Sequence, residues 1–99
     1  MSQLPLNYDP PRVKGSDTSE AAADSIAAET SRLRGLVLEA IRQRGAHGAT
    51  DDELEVELHL RHQTASARRR ELVLLGKVRD SGWRRATRSG RKASVWIVI

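Results

Sequence analysis

The run Thr50-Asp-Asp-Glu-Leu-Glu-Val-Glu-Leu-His-Leu-Arg-His-Gln-Thr-Ala-Ser-Ala-Arg-Arg-Arg-Glu-Leu-Val-Leu-Leu-Gly-Lys-Val78 contains two helices and the corner between them. Thr50 to Glu53 match a capping box: the Thr50 hydroxyl can accept the backbone N–H three residues on, while the Glu53 carboxylate reaches back to the Thr50 N–H. Three acids in that first turn also suit the positive end of the helix dipole. Leu54 and Leu58 then share one face. The stretch from Leu58 to His62 is too short for a loop, so the next helix must leave at a steep angle, with Leu60 plugging the corner. That third helix is predicted from about Gln63 to Gly76, a residue able to take positive φ and end it. With Ala65 innermost, the 3.6-residue period brings Arg68, Arg69, Leu72 and Leu75 to the same side, and turns Gln63, Ser66, Ala67 and Arg70 outward.

Upstream, Leu33, Leu36, Val37, Ala40 and Ile41 form one apolar stripe, which predicts a helix from about Ser31 to Arg44, stopped by Gly45. Residues 18–30, with five alanines and Ile26, are expected to form a short helix or flexible arm. Residues 1–17, with Pro5, Pro10, Pro11 and Gly15, have too little apolar content to offset the entropy of ordering and are expected to be a disordered tail. Downstream, Val78 begins a strand, Ser81-Gly82 marks a bend, Thr87 to Lys92 is a loop, and Ala93 to Ile99 is the returning strand. Val95, Ile97 and Ile99 alternate there with Trp96 and Val98, so one face can close the core. The expected fold is α+β, with three helices and a C-terminal β-hairpin over residues 31–99. Trp83 and Trp96 fall on opposite arms of the hairpin, where pairing across it or covering the third helix is favoured over base stacking.

Ninety-nine residues allow one domain, and the absence of cysteine excludes disulfides and thiolate metal sites, which makes a reducing cytoplasm the expected compartment. No apolar run approaches the ~20 residues that span a bilayer, and the N-terminus lacks the basic start and apolar stretch of a signal peptide, so no membrane association is expected. Three aromatic residues imply an aliphatic core and a poor supply of base-stacking platforms.

Charge is distributed unevenly. Residues 61–92 hold eleven Lys/Arg against two acids, a net of +9, whereas residues 1–60 hold six bases and eleven acids, a net of −5. The positive end is suited to a phosphate backbone, with the negative end expected to face water. The small side chains at the start of the third helix allow close approach to base edges. Gln63 and Arg70 can make paired hydrogen bonds to adenine or guanine, and Thr64 and Ser66 can bind phosphate at the helix N-terminus. His62 is placed to contact phosphate or cap locally. Arg84, Arg85, Arg88, Arg91 and Lys92 put five cations into nine residues with no acid among them, a self-repulsive arrangement unless an anion is near. The plain alternative for helix and hairpin alike is a solvated basic surface. His59 and His62 lack a third ligand at metal-binding spacing, so neither a metal nor another cofactor is expected. With no Gly-rich phosphate loop, with serine, histidine and acid residues scattered, and with Asp51 to Glu53 explained by capping, neither an enzyme nor a small-molecule substrate is expected.

From Thr50 to Val78, and on through strand, basic loop and strand, the chain resembles the winged helix-turn-helix proteins, especially small bacterial and phage regulators. The matching pattern is a polar N-cap, a helix, a tight turn, a Gln-Thr-apolar-Ser recognition helix, Glu-Leu, and Gly-x-Val leading into the wing, and the likeness covers Ser31 to Ile99. It implies a double-stranded-DNA-binding regulator of transcription. His62, Gln63, Thr64, Ser66, Ala67, Arg68 and Arg70 would contact DNA from the third helix and Arg84, Arg85, Arg88, Arg91 and Lys92 from the wing. Two departures stand out. His59 occupies a turn position where the family often has glycine, so left-handed backbone there carries strain. Arg69 occupies a position that is usually a core aliphatic, so its stem must pack while its head finds an acid or the surface. Alternatives are an adaptor that meets a protein partner through Val73, Leu74 and the N-terminal arm, and a structured-RNA binder. A homodimer through the N-terminal helix is a further expectation.

Overall fold

The computed structural model describes the backbone from residue 14 to 99 and the side chains from residue 24 onward. The tail expected over residues 1–17 lies, up to residue 13, outside the described residues, and residues 14–17, expected to be part of it, are instead helical. The chain is α+β: three helices, α1 (Lys14–Arg44), α2 (Asp51–Leu58) and α3 (His62–Leu74), are followed by an antiparallel hairpin of β1 (Val78–Ala86) and β2 (Lys92–Val98). Two units are distinct, Met1–Ser31 and Arg32–Ile99. In the first, the described residues are helical, and Ile26 is exposed. The helix expected from Ser31 is thus continuous with the alanine-rich stretch before it.

In the second unit, the stripe on α1 buries Val37, Ala40 and Ile41, while Leu33 is half-buried and Leu36 stays exposed. These side chains join Ala49, Leu54, Ala65, Leu72 and Val78 in one cluster, with Leu38, Leu58, Leu60, Val73, Trp96 and Val98 packed against it. Each fully buried aliphatic contributes about 1.5–3 kcal/mol, so this mostly aliphatic cluster holds the three helices and the hairpin together.

The capping box at Thr50 is complete: the Glu53 N–H donates to Thr50 Oγ1 and the Thr50 N–H to Glu53 Oε1, each at 3.1 Å. At the other end of α2, His59 closes the helix with φ 56° and ψ 45°, the left-handed conformation that the glycine-like turn position implied. The Leu60 N–H donates to the Glu55 carbonyl at 3.0 Å, and Leu60 packs on the core. α3 ends as expected, with Gly76 at φ +74°. Leu75, expected on the inner side, is instead exposed, because it lies beyond the last helical residue.

The hairpin pairs Val78 with Val98 and Arg79 with Ile97 at its base and Arg84 with Ser94 and Arg85 with Ala93 nearer its loop, with a register shift between Asp80 and Arg84. β2 is also joined to the segment before α2: the Ala49 N–H donates to the Trp96 carbonyl at 3.0 Å, and the Trp96 N–H to the Ala49 carbonyl at 2.8 Å. Gly48 sits against this bridge at φ +65°, where an added Cβ would lie 2.5 Å from the Trp96 carbonyl oxygen and 2.7 Å from Val95 Cγ1. The alternation in β2 is looser than expected. Trp96 and Val98 pack on the main cluster and Val95 is buried beside Gly48, but Ile99 is exposed.

Candidate nucleic-acid interface

The acids of α2 form the centre of a charge network that reaches both α3 and the hairpin. Asp51 accepts two hydrogen bonds from Arg69, at 2.9 and 2.8 Å, and one from the Ser66 hydroxyl at 2.8 Å. The Arg69 guanidinium also lies over the Trp96 ring, 4.1 Å from its centroid. With the side chains of Arg69 and Asp51 each only 17% exposed, this pair meets the requirement that sequence placed on Arg69: its stem packs and its head finds an acid. Glu53 takes Arg85, at 2.9 and 2.7 Å, and Arg44, at 3.2 Å, while Arg85 also donates to the His47 and Gly48 carbonyls. Asp52 accepts both the Arg88 N–H and its guanidinium. Glu55 holds His62 at 2.7 Å and lies 3.3 Å from Arg88.

The basic hairpin therefore finds its anion inside the protein. The expectation that the acidic end faces water is corrected here, because Asp51, Asp52, Glu53 and Glu55 are turned toward the cations of α3 and the hairpin. Capping explains one of these acids, Glu53. Of the others, Asp51 meets α3, while Asp52 and Glu55, three residues apart on α2, share Arg88, and Glu55 also holds His62.

Of the twelve side chains expected to meet DNA, the structure divides the set. Gln63 and Arg70 are exposed on α3 as expected; seven residues apart, they lie about 20° from each other around the helix. Thr64 and Ala67 are half-buried beside them. Ser66, expected outward, is turned to Asp51, and Arg68 is folded onto Glu71 at 2.7 Å, its Nε without a partner. His62 is exposed but tied to Glu55. In the hairpin, Arg85 and Arg88 are paired as described, Arg84 lies 3.7 Å from Asp80, and Arg91 and Lys92 are exposed. Among the described residues, Arg61, Arg70, Lys77, Arg79, Arg91 and Lys92 are exposed and make no side-chain ion pair, Arg79 donating to the Asp80 carbonyl.

Helix and hairpin meet at a cleft of about 450 Å³, lined by His62 and Arg69 from α3, by Asp51, Asp52 and Glu55 from α2, and by Thr87, Ser89, Arg91, Lys92, Ser94 and Trp96 from the hairpin and its loop. No protein-family model, curated protein or solved structure matches the chain. Its geometry and electrostatics therefore carry the functional reading. Among the described residues, no group of His, Cys, Asp or Glu is arranged to hold a metal ion, and no helix is long and apolar enough to cross a membrane.

The network shifts its own titration. Burial pushes the Asp51 carboxyl up, but the hydrogen bonds from Arg69 and Ser66 outweigh it and leave the group below its ordinary value. The Arg88 hydrogen bond lowers Asp52, and the Arg85 hydrogen bond lowers Glu53. Glu71 is raised by burial and lowered further by Arg68 and Arg34. The hydrogen bond to Glu55 raises His62. For the lowered acids, the linked stability is present above the unfolded-chain values and is lost as pH falls through the folded ones, below about pH 4. The His62 contribution has the opposite sign: it is complete below about pH 6.5 and disappears as pH rises through the raised value. Asp51→Ala, which strands the Arg69 guanidinium over Trp96, is expected to cost about 3 kcal/mol and to shift the acid limb of a urea-unfolding series measured between pH 2 and 7. An unchanged unfolding midpoint in that variant would show that the Asp51–Arg69 pair does not hold α3 to α2.

Proposed function

We propose that this chain is a winged helix-turn-helix protein that binds double-stranded DNA and regulates transcription in the manner of small bacterial or phage regulators. α3 would enter the major groove, and the loop of the hairpin would lie on the adjacent backbone or minor groove. The observation that carries this reading is the distribution of unpaired charge: Arg61 at the start of α3, Arg70 on its outward face, and Arg91 and Lys92 at the hairpin loop are exposed and lack an acid partner among the described residues. Gln63 and Arg70 share the outward face of α3, where each can make a paired hydrogen bond to a base edge. The paired arginines have a different role. Asp51, Asp52 and Glu53 orient α3 and the hairpin, and a salt bridge as exposed as Arg88–Asp52 adds little to stability.

Titrating the full chain against a pool of random duplexes, a hairpin RNA and a single strand tests the assignment. Preferential, salt-sensitive binding of duplex DNA is the expected result; equal weak binding to all three would remove any sequence-reading role. Because Asp52 competes with phosphate for Arg88, Asp52→Asn should tighten duplex binding several-fold and steepen the log–log salt dependence by about 0.9. Glu39→Gln, which removes one negative charge from α1 outside the cleft, serves as the control, and an equal gain there would remove the competition from the account.

A second reading, a protein-binding adaptor, is favoured by one feature. Leu74 is 73% exposed and Leu75 is also exposed at the end of α3, whereas Val73, expected beside Leu74 at such a contact, packs on the core.

A further inference from the structure

We infer that Trp83 is a stacking platform for an unpaired nucleobase, at a second nucleic-acid contact separate from the α3 cleft. The inference rests on the proposal that the chain binds nucleic acid. Sequence favoured a structural role for Trp83, paired with Trp96 or laid over the third helix. The register shift between Asp80 and Arg84 removes that role: Trp96 lies opposite Asp80 and is covered by Arg69, while Trp83 is left 71% exposed. An indole so exposed loses hydrophobic stabilisation without a covering group.

Its backbone is held firmly. The Gly82 N–H donates to Asp80 Oδ1 at 2.9 Å, and the Trp83 N–H donates to Ser81 Oγ at 3.1 Å, so two short side chains fix the turn from which the indole projects.

The surroundings select an anionic, planar ligand. Beside the indole is a cleft of about 250 Å³ lined by Ala46, His47, Trp83, Arg84, Arg85 and Val95, with no carboxylate among its lining residues. The α3 cleft and the cleft along the outer side of α2 each contain three acids. Nearby, the Arg79 and Arg84 guanidinium groups both lie against the single residue Asp80, one on its carbonyl and one on its carboxylate, which leaves an excess of positive charge. Arg85 is held by Glu53, so the aromatic face with the Arg79 and Arg84 guanidinium groups beside it is what suits a base with its flanking phosphate. This cleft shares no lining residue with the α3 cleft, and Val95 and Trp96, successive on β2, line one cleft each, so the contact at Trp83 is on the other face of the hairpin.

The test compares a matched duplex with the same duplex carrying one extra unpaired thymidine, using the full chain, Trp83→Phe and Trp83→Ala, with indole emission and the anisotropy of end-labelled DNA as readouts. The full chain should bind the bulged duplex roughly tenfold more tightly, with quenching of the Trp83 emission. Trp83→Phe should retain part of that preference. Trp83→Ala should lose it while binding the matched duplex as the unaltered chain does. Equal binding of both duplexes by the unaltered chain, or a preference kept in Trp83→Ala, overturns the inference and leaves duplex binding through α3 standing. Failure to bind either duplex overturns both proposals. A blue shift of the Trp83 emission that grows with protein concentration in the absence of DNA would assign the surface to a second copy of the chain and also overturn the inference.

Discussion

Gly48→Ala should be the most damaging glycine-to-alanine substitution among the described residues, lowering the midpoint of thermal unfolding by roughly 10–40 °C or preventing folding. Two costs combine. A residue with a side chain at φ +65° pays about 1–2 kcal/mol of backbone strain. The new Cβ would also lie 2.5 Å from the Trp96 carbonyl oxygen and 2.7 and 2.8 Å from the Val95 and Ile97 side chains, an overpacking cost of about 1–3 kcal/mol. The carbonyl cannot move away freely, because it accepts the Ala49 N–H that joins β2 to the segment before α2. For a folded region of this size, 1 kcal/mol corresponds to about 4–8 °C in Tm. Gly76→Ala is the internal control: Gly76 has the same sign of φ, at +74°, with nothing within 4 Å of an added Cβ, so only the strain should appear. Circular dichroism melts of both variants check this. Equal losses in the two would show that the β2 bridge at Ala49 yields easily and that the close approach is not a constraint.

Removing the unpaired cations should have the largest effect on binding. Arg70→Ala, Arg91→Ala and Lys92→Ala combined are expected to weaken duplex affinity roughly 10- to 100-fold and to flatten the log–log salt dependence by about 2–3, close to 0.9 for each phosphate that is no longer neutralised. The fold should be untouched, since none of the three side chains is buried or ion-paired. Arg85→Ala with Arg88→Ala removes fewer charges that reach outward, because Glu53 and Asp52 already hold them. The salt slope in that double variant should change by less than in the triple variant. A larger change in the double variant would mean that these arginines leave their carboxylates for phosphate, and the division between structural and contacting cations would have to be redrawn.

Local features of the sequence were legible where a short-range rule governs them. Thr50 to Glu53 announced the start of α2 because a capping box is contained within four residues, and the short path from Leu58 to His62 forced the corner; the left-handed His59 was implied by the resemblance, which puts glycine at that turn position. Arg69 could be read as a cation on a core-facing position in need of an acid, because helical periodicity alone puts it beside Ala65 and Leu72. The identity of that acid was not legible. Asp51–Arg69, Glu53–Arg85 and Asp52–Arg88 join residues 18, 32 and 36 positions apart, separations on which no local pattern bears. One signal did exist: five carboxylates between Asp51 and Glu57 exceed what a cap uses, and residues 84–92 of the hairpin opposite hold five cations with no acid among them. The place of Trp83 was hidden because it follows from a register shift within β1, which an alternating pattern cannot locate.

The measurement that bears most directly on the account is an amide chemical-shift titration of the isotope-labelled chain with duplex DNA. Shifts concentrated at Arg61 to Arg70 and at the Thr87 to Lys92 loop, weakening as salt is raised, are the predicted result. Shifts confined to Leu74, Leu75 and Ile99, or none at all, would contradict it and assign the exposed end of α3 to a protein partner.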